Sequence, residues 1–328
     1  MALEILHSPQ EWTARFGCDM RAAVTIGNFD GVHLGHQKIL RSVVERARRT
    51  NSVAAALTFD PHPFHVVRPD AAPQMIETLE QRLARIEALG LDAVLVLHFD
   101  SALASSNPEE FVHRILGDCL HVCAVLVGEN FRFGHRQAGD VNLLRKLGAA
   151  MNFDVGCIAP VVVRGTVVSS TAVRAAVTAG RMTWGARLLG RPFLLAGEIK
   201  PGTGTGRHFV FPTLNLSTTQ ELLPARGVYA TEAIVDGELY RAATNVGMRP
   251  TFDGTQLSIE SHLFDFSKQV TSGSLEIRFW RRLRDEKKFS GTEALREQIQ
   301  RDIIRARSFF LRLDGLKLPP IPTRKTPR

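Results

Sequence analysis

Through the first half of the chain, apolar residues gather in short unbroken runs, and between the runs they recur every three or four positions. Residues 24–26 and 53–59 are runs of the kind that make buried strands, and 93–99, 122–127 and 153–158 read as three further strands. Leu40, Val43, Val44 and Ala47 share one face of a helix that follows the first run, with most of the charged residues elsewhere. Ile76, Leu79, Leu83 and Ile86 mark a second helix over 76–89, stopped by Gly90. Asn107-Pro108-Glu109-Glu110 predicts a helix start, with a capping amide, proline at the first position and acids in the first turn. A short helix is expected over 143–147, and residues 1–21 read as a lead-in with a helical turn at Pro9. Strand and helix alternate, which predicts an α/β domain built on a parallel sheet.

The pattern changes near residue 190. A helix opened by Ser169-Ser170-Thr171 ends at Gly180, a short one covers 183–189, and GRPF at 190–193 reads as a linker. From 194 to 282 the chain is broken by Gly and Pro into short runs, several alternating apolar and polar residues. That texture predicts a small closed barrel. Residues 292–310 then read as one amphipathic helix packed on the barrel, and 314–328, with four prolines, as a flexible tail. The expected domains are 1–185 and 186–313.

Composition narrows the class. Apolar residues make up 44% of the 328, enough for well-filled cores. Four cysteines form no disulfide framework, and the C-x3-C pair Cys119/Cys123 lacks a second pair to complete a zinc site. No secretory leader or membrane-spanning run is apparent, so a cytoplasmic protein is expected, monomeric or weakly self-associating. The net charge of +8 is concentrated beyond residue 267, where 16 Lys and Arg face 7 Asp and Glu. Charges alternate there in RRLRDEKKF, so a solvated or substrate-attracting face is preferred to a nucleic-acid surface.

The chemistry centres on AAVTIGNFDGVHLGHQ at 22–37. A strand, a turn containing Gly27 and Gly31, and a helix N-terminus leave backbone N–H groups for an anion. His33 and His36 lie three apart on the first turn, with Gly35 between them. The segment is either a phosphate-handling site or an ordinary βα junction with a surface histidine pair. Asp60 and His62 in TFDPHPF, and Asn130 in GENFRFGHRQAGD, sit in loops at strand ends, where open α/β sheets hold ligands. Ser169, Ser170, Thr171 and Arg174 form either a capped helix start or a second phosphate grip. In the second half, PGTGTGR lacks the ending of a P-loop. Thr213 and Asn215 offer hard oxygens suited to Mg²⁺, and Glu260 could serve as a general base; each could equally face solvent.

The motif TIGNFDGVHLGH resembles the HxGH nucleotidylyltransferases, in particular their flavin branch. The blocks TFDPHP, GENFRFG, VSSTAVR, LLGRPF, GTGTGR, FPTLNL, GVYA, NVGMRPTF, IESHLFDF and LRDEKKF follow in order. From about residue 20 to 310 the chain resembles the bacterial bifunctional riboflavin kinases/FMN adenylyltransferases. The resemblance implies a Rossmann-like HxGH domain followed by a six-stranded riboflavin-kinase barrel with a packed C-terminal helix. It implies ATP, riboflavin and FMN as substrates, FAD as product and Mg²⁺ as the metal, with no nucleic acid or membrane partner. His33 and His36 would steady ATP phosphates while Gly27, Asn28, Phe29, Asp30, Asp60 and Asn130 shape the nucleotide and flavin pocket. Ser169, Ser170, Thr171 and Arg174 would hold the far side of the triphosphate. Gly202, Gly206 and Arg207 would cradle the kinase phosphates, Thr213 and Asn215 the metal, and Glu260 would be the catalytic base. Val210 stands where the family carries glycine, which leaves a monofunctional FMN adenylyltransferase as the alternative.

Overall fold

The computed structural model describes residues 2–200, 212–251 and 254–316. They divide into two compact units, 1–170 and 171 onward. In chain order, the first unit opens with β1 (Glu4–Leu6), α1 (Pro9–Phe16), β2 (Ala22–Ile26), α2 (Leu34–Thr50) and β3 (Val53–Asp60). Then come α3 (Pro63–Val67), α4 (Leu79–Glu87), β4 (Ala93–His98), α5 (Ser101–Ala104) and α6 (Pro108–Phe111), the last continuing as a π-helix over Val112–Cys119. It continues with β5 (Val122–Gly128), β6 (Arg132–Phe133), β7 (Gly139–Asp140), α7 (Val141–Met151), β8 (Asp154–Ile158), β9 (Val162–Val163) and β10 (Thr166–Val167).

Six strands form one parallel sheet in the order β1-β4-β3-β2-β5-β8. All five residues of β2 are buried, as a strand covered on both faces requires. On one face Trp12, Phe111 and Leu116 pack with Val24, Leu57 and Leu95; on the other Leu40, Leu83 and Ile86 pack with Ala56, Val94 and Val96. The chain runs outward from β2 through β3 to β4, then returns to place β5 on the other side of β2. The crevice at the C-terminal ends of β2 and β5 is therefore the switch point where such sheets bind ligands.

Three local expectations change. The lead-in contains β1, paired in parallel with β4, and the complete helix α1. A three-residue edge strand is too short to show periodicity. α4 starts at Leu79 because Thr78 and Gln81 form a reciprocal capping box, which leaves Ile76 ahead of the helix. The helix expected over 143–147 extends to Val141–Met151, with Asp140 accepting from Leu143 N at its start.

The second unit contains α8 (Ser170–Thr178, whose first residue ends the first unit) and α9 (Met182–Leu189). Six antiparallel strands follow: β11 (Phe193–Lys200), β12 (Leu214–Ser217), β13 (Gly227–Val235), β14 (Glu238–Thr251), β15 (Gly254–Leu263) and β16 (Ser274–Arg284). They close as a barrel in the order β11-β12-β15-β14-β13-β16, and α9 packs on β16 and β11. α10 (Thr292–Gly315) lays Ala306 and Phe310 against Ala230, Ala243 and Phe264. It runs past the expected end at 310 because Leu313 still packs on this seam and Arg241 pairs with Asp314. Asp302 of α10 is buried and accepts both Arg284 Nε, at 2.9 Å, and Gln298 Nε2, at 2.9 Å, tying helix to barrel. Among the described residues no helix is long and apolar enough to cross a membrane.

Asp92 locks the sheet of the first unit. Its two oxygens accept a two-pronged hydrogen bond from Arg48, each arm 2.8 Å, and Oδ2 also accepts from Ala54 N at 2.8 Å. Burial pushes this carboxyl up, but the Arg48 and Ala54 hydrogen bonds outweigh it and hold the group below its ordinary 3.8. A depressed folded-state value means that the stabilisation is present above 3.8 and is lost as pH falls through the lower folded value. Asp92→Asn should lower unfolding free energy near neutrality by about 1–3 kcal/mol and flatten the acid limb of the stability profile. Urea unfolding between neutral and acid pH checks this; an unchanged acid limb would contradict it.

Candidate functional site

The turn between β2 and α2 is backbone held against its preferences. Phe29, Gly31 and Val32 all have positive φ, at 48°, 79° and 34°. For β-branched Val32 this is a true outlier, of the sort that persists only where surroundings over-determine it. Those surroundings are specific. Asp30, 1% exposed, turns its carboxylate inward to accept from Ile76 N at 3.0 Å and Glu77 N at 3.3 Å. Ser170 Oγ donates to Asp30 O at 2.9 Å, and Gln37 Nε2 to Val32 O at 2.9 Å. Arg82, 3% exposed on α4, donates to Asn28 O at 2.7 Å. Burial lowers the Arg82 pKa from its ordinary value, while Asp30, Asp60 and Glu77 act to keep the charge. Neither the inward turn of Asp30 nor the role of Arg82 is visible in sequence, since both depend on elements more than forty positions away.

The strained turn delivers His33 to the N-cap of α2, where its Nδ1 accepts from His36 N at 3.3 Å. A neutral ring with Nδ1 as acceptor carries its proton on Nε2, which makes that edge a donor. His36 stacks on His33 with centroids 3.7 Å apart, and Phe29 meets His36 edge-on at 5.4 Å. Phe29 itself is buried, so it supports the histidines from beneath. A Cβ on Gly35 would lie 3.1 Å from His33 Cε1 and 3.2 Å from Nδ1, so only glycine leaves the ring undisturbed here.

Beside this turn opens a cavity of about 1080 Å³. Gly27 and Asn28 from the end of β2, Phe59 near the end of β3 and Pro63 after it, Phe99 after β4, and Asn130–Phe133 after β5 all line it. It is the crevice the strand order predicts. Phe64, Val67, Arg68, His135 and Arg136 complete an aromatic and cationic wall. The FRFG loop, expected at the sheet edge, lines this cavity; its hairpin of β6 and β7, and the contribution of α3 and α5, were not legible in sequence. Asp60 stays exposed, 4.0 Å from Arg82. Ser169 is half-buried just before α8, and Thr171 and Arg174 continue that helix in the second unit.

In the barrel, Asn215 of β12 and Asn245 of β14 flank Glu260 of β15 in register, so the three share one face of the sheet. Ser258 Oγ donates to Glu260 Oε1 at 2.7 Å, fixing that carboxylate's orientation. Thr213 lies just before β12 and is exposed. Gly202, Gly206, Arg207 and Val210 lie outside the described residues. Several arginines of the basic C-terminal region are engaged in ion pairs, Arg284 with Asp302, Arg301 with Glu297 and Arg307 with Asp265. No cluster of three His, Cys, Asp or Glu able to hold a metal occurs among the described residues.

Comparison with known proteins addresses both units. The FAD synthetase family profile matches residues 17–172, and the riboflavin kinase profile matches 189–310. The bifunctional riboflavin kinase/FMN adenylyltransferase of Escherichia coli (strain K12) is 34% identical over 304 residues, 92% of this chain and 94% of its own length. The Pseudomonas fluorescens protein of the same name is 38% identical over 285 residues, 87% of this chain and 91% of its own. A crystal structure from Streptococcus pneumoniae, described as a macrolide-efflux protein, has a TM-score of 0.84 at 26% identity, covering 94% of this chain and 99% of that one. With a histidine-capped turn beside a switch-point cavity in one unit and a closed barrel in the other, each matched by its own profile, the chain belongs to the bifunctional riboflavin kinase/FMN adenylyltransferase family.

Proposed function

We propose that the second unit phosphorylates riboflavin with ATP to FMN, and that the first transfers an adenylyl group from another ATP to FMN, giving FAD and pyrophosphate. The observation that carries the adenylyl-transfer reading is the stacked His33/His36 pair at the helix N-terminus, opening beside a cavity that joins it at Gly27 and Asn28. The cavity's aromatic wall suits the isoalloxazine ring and its arginines suit the FMN phosphate. An FMN phosphate oxygen attacks the α-phosphorus of ATP; the bond to the β-phosphate bridging oxygen breaks, and pyrophosphate leaves. No covalent enzyme intermediate is needed. The backbone N–H groups of α2, His33 Nε2–H and His36 stabilise negative charge as it moves onto the leaving phosphates. Ser169 and Ser170, at the end of the first unit, are assigned to the far side of the triphosphate.

In the barrel, Glu260 accepts the proton of the ribityl 5′-hydroxyl as that oxygen attacks the γ-phosphorus and ADP leaves. Ser258 keeps the carboxylate aimed. Thr213 and Asn215 supply neutral hard oxygens, too few to cage a cation, which suits a Mg²⁺ carried mainly on nucleotide phosphates. When bound, that ion would neutralise phosphate charge at these residues. The free cysteines among the described residues fit the proposed cytoplasmic location.

Product analysis with ATP and Mg²⁺ tests the whole reading. Riboflavin should yield transient FMN and then FAD, and FMN should yield FAD directly; no product from either would sink it. Glu260→Gln should slow riboflavin phosphorylation by roughly 10²–10⁴-fold while FMN is still converted to FAD. The converse is expected of Gly35→Ala. Displacing His33 should cut FAD formation from FMN by about a hundredfold and leave riboflavin phosphorylation intact. Equal losses in both reactions would contradict this division of labour.

A further inference from the structure

Asn28 is held by groups from other elements at both its backbone and its side chain. Arg82 holds its backbone oxygen at 2.7 Å, and its side-chain amide meets His62, which is 6% exposed. His62 caps α3, and its Nδ1 accepts from Phe64 N at 3.2 Å. A neutral imidazole that accepts at Nδ1 must carry its proton on Nε2. That Nε2 lies 2.9 Å from the Asn28 amide nitrogen, and two donors cannot face one another. The amide's oxygen and nitrogen are alike in shape and are assigned by their hydrogen bonds. Exchanging them satisfies both ring nitrogens of His62: Phe64 N–H donates to Nδ1, and Nε2–H donates to Asn28 Oδ1. The Asn28 NH₂ is then turned away from His62.

We propose that His62 is a positioning residue for adenylyl transfer: by holding Asn28 Oδ1, it aims the Asn28 amide NH₂ at a phosphoryl oxygen of bound substrate. Asn28 lines the cavity where it adjoins the strained turn, the place to which the proposed adenylyl transfer brings the phosphoryl oxygens of FMN and ATP. His62 does not touch substrate in this scheme; it acts through Asn28. The mechanism costs no proton and forms no bond. It replaces a freely rotating amide with a fixed donor, which is how preorganised dipoles favour a transition state. Short-range sequence could not reveal it, because the two residues are 34 positions apart and meet only where β2 and β3 end side by side. The proposal rests on the reading of Asn28 as a pocket residue of the adenylylation site.

A double-mutant cycle in the full chain tests it, with His62→Ala, Asn28→Ala, the double variant and His62→Gln. FAD formation from FMN is followed with ATP and FMN varied separately, and thermal unfolding is recorded for each protein. Each single alanine variant should lower kcat/KM about tenfold, the scale of one lost hydrogen bond, and the double should be no worse than Asn28→Ala alone. His62→Gln, which keeps an N–H donor, should restore most of the activity. A raised KM confined to ATP or to FMN identifies whose phosphoryl oxygen the amide meets. Losses that multiply in the double variant, or Asn28→Ala impaired with His62→Ala unimpaired, would overturn the proposal. So would a His62→Ala loss that follows its melting temperature and is not rescued by glutamine. Asn28→Ala with full activity would overturn the pocket reading of Asn28 and the proposal together. Wild-type protein that makes no FAD would overturn the functional reading itself.

Discussion

The constraint on which the first unit's site depends is the left-handed turn linking β2 to α2. Three of four consecutive residues, Phe29, Gly31 and Val32, sit at positive φ, and only Gly31 does so without cost. Such a turn would relax if it were not clamped. Asp30 clamps it to the segment ahead of α4, Ser170 to the end of the first unit and Arg82 to the side of α4. Gln37 closes it on its own helix. The result is that His33 arrives at the N-cap with its ring already oriented. A Cβ contact of 3.1 Å at Gly35 shows how little room for error remains. In the proposed adenylyl transfer, a phosphate entering this site meets donors that need little rearrangement, the condition under which electrostatic stabilisation is most effective.

The barrel solves a similar problem with different means. Its candidate residues sit on neighbouring strands, so register brings Asn215, Glu260 and Asn245 together. On the opposite side of those strands, Thr244 Oγ1 lies 2.7 Å from Ser261 Oγ and 2.6 Å from Thr231 Oγ1, all fully buried. Buried hydroxyls are tolerated because each finds a partner, and a satisfied network of this kind favours one strand register over its slipped alternatives. The Arg284–Asp302–Gln298 cluster performs the same service for α10, whose long exposed surface would otherwise specify its docking weakly.

Much of this was readable from the chain. Runs of Val, Ala, Leu and Ile marked the parallel strands, and Asn107-Pro108 marked a helix start that the structure places at Pro108. The broken, alternating texture after residue 190 marked the barrel, and the His33-Gly35-His36 spacing singled out the turn that leads into α2. These are properties of neighbours in sequence: side-chain period, turn chemistry and capping act over a few residues. β1 escaped because three residues at a sheet edge carry no period, and the true start of α4 because a capping box overrode the apolar seam. What the sequence determined by itself was therefore the kind of elements and the motif that names the chemistry. Only the tertiary structure decided that Asp30 points inward to Ile76, that Arg82 braces Asn28, and that His62 meets the Asn28 amide. Those contacts join residues 46, 54 and 34 positions apart, and strand order and register, not local pattern, determine which distant groups meet.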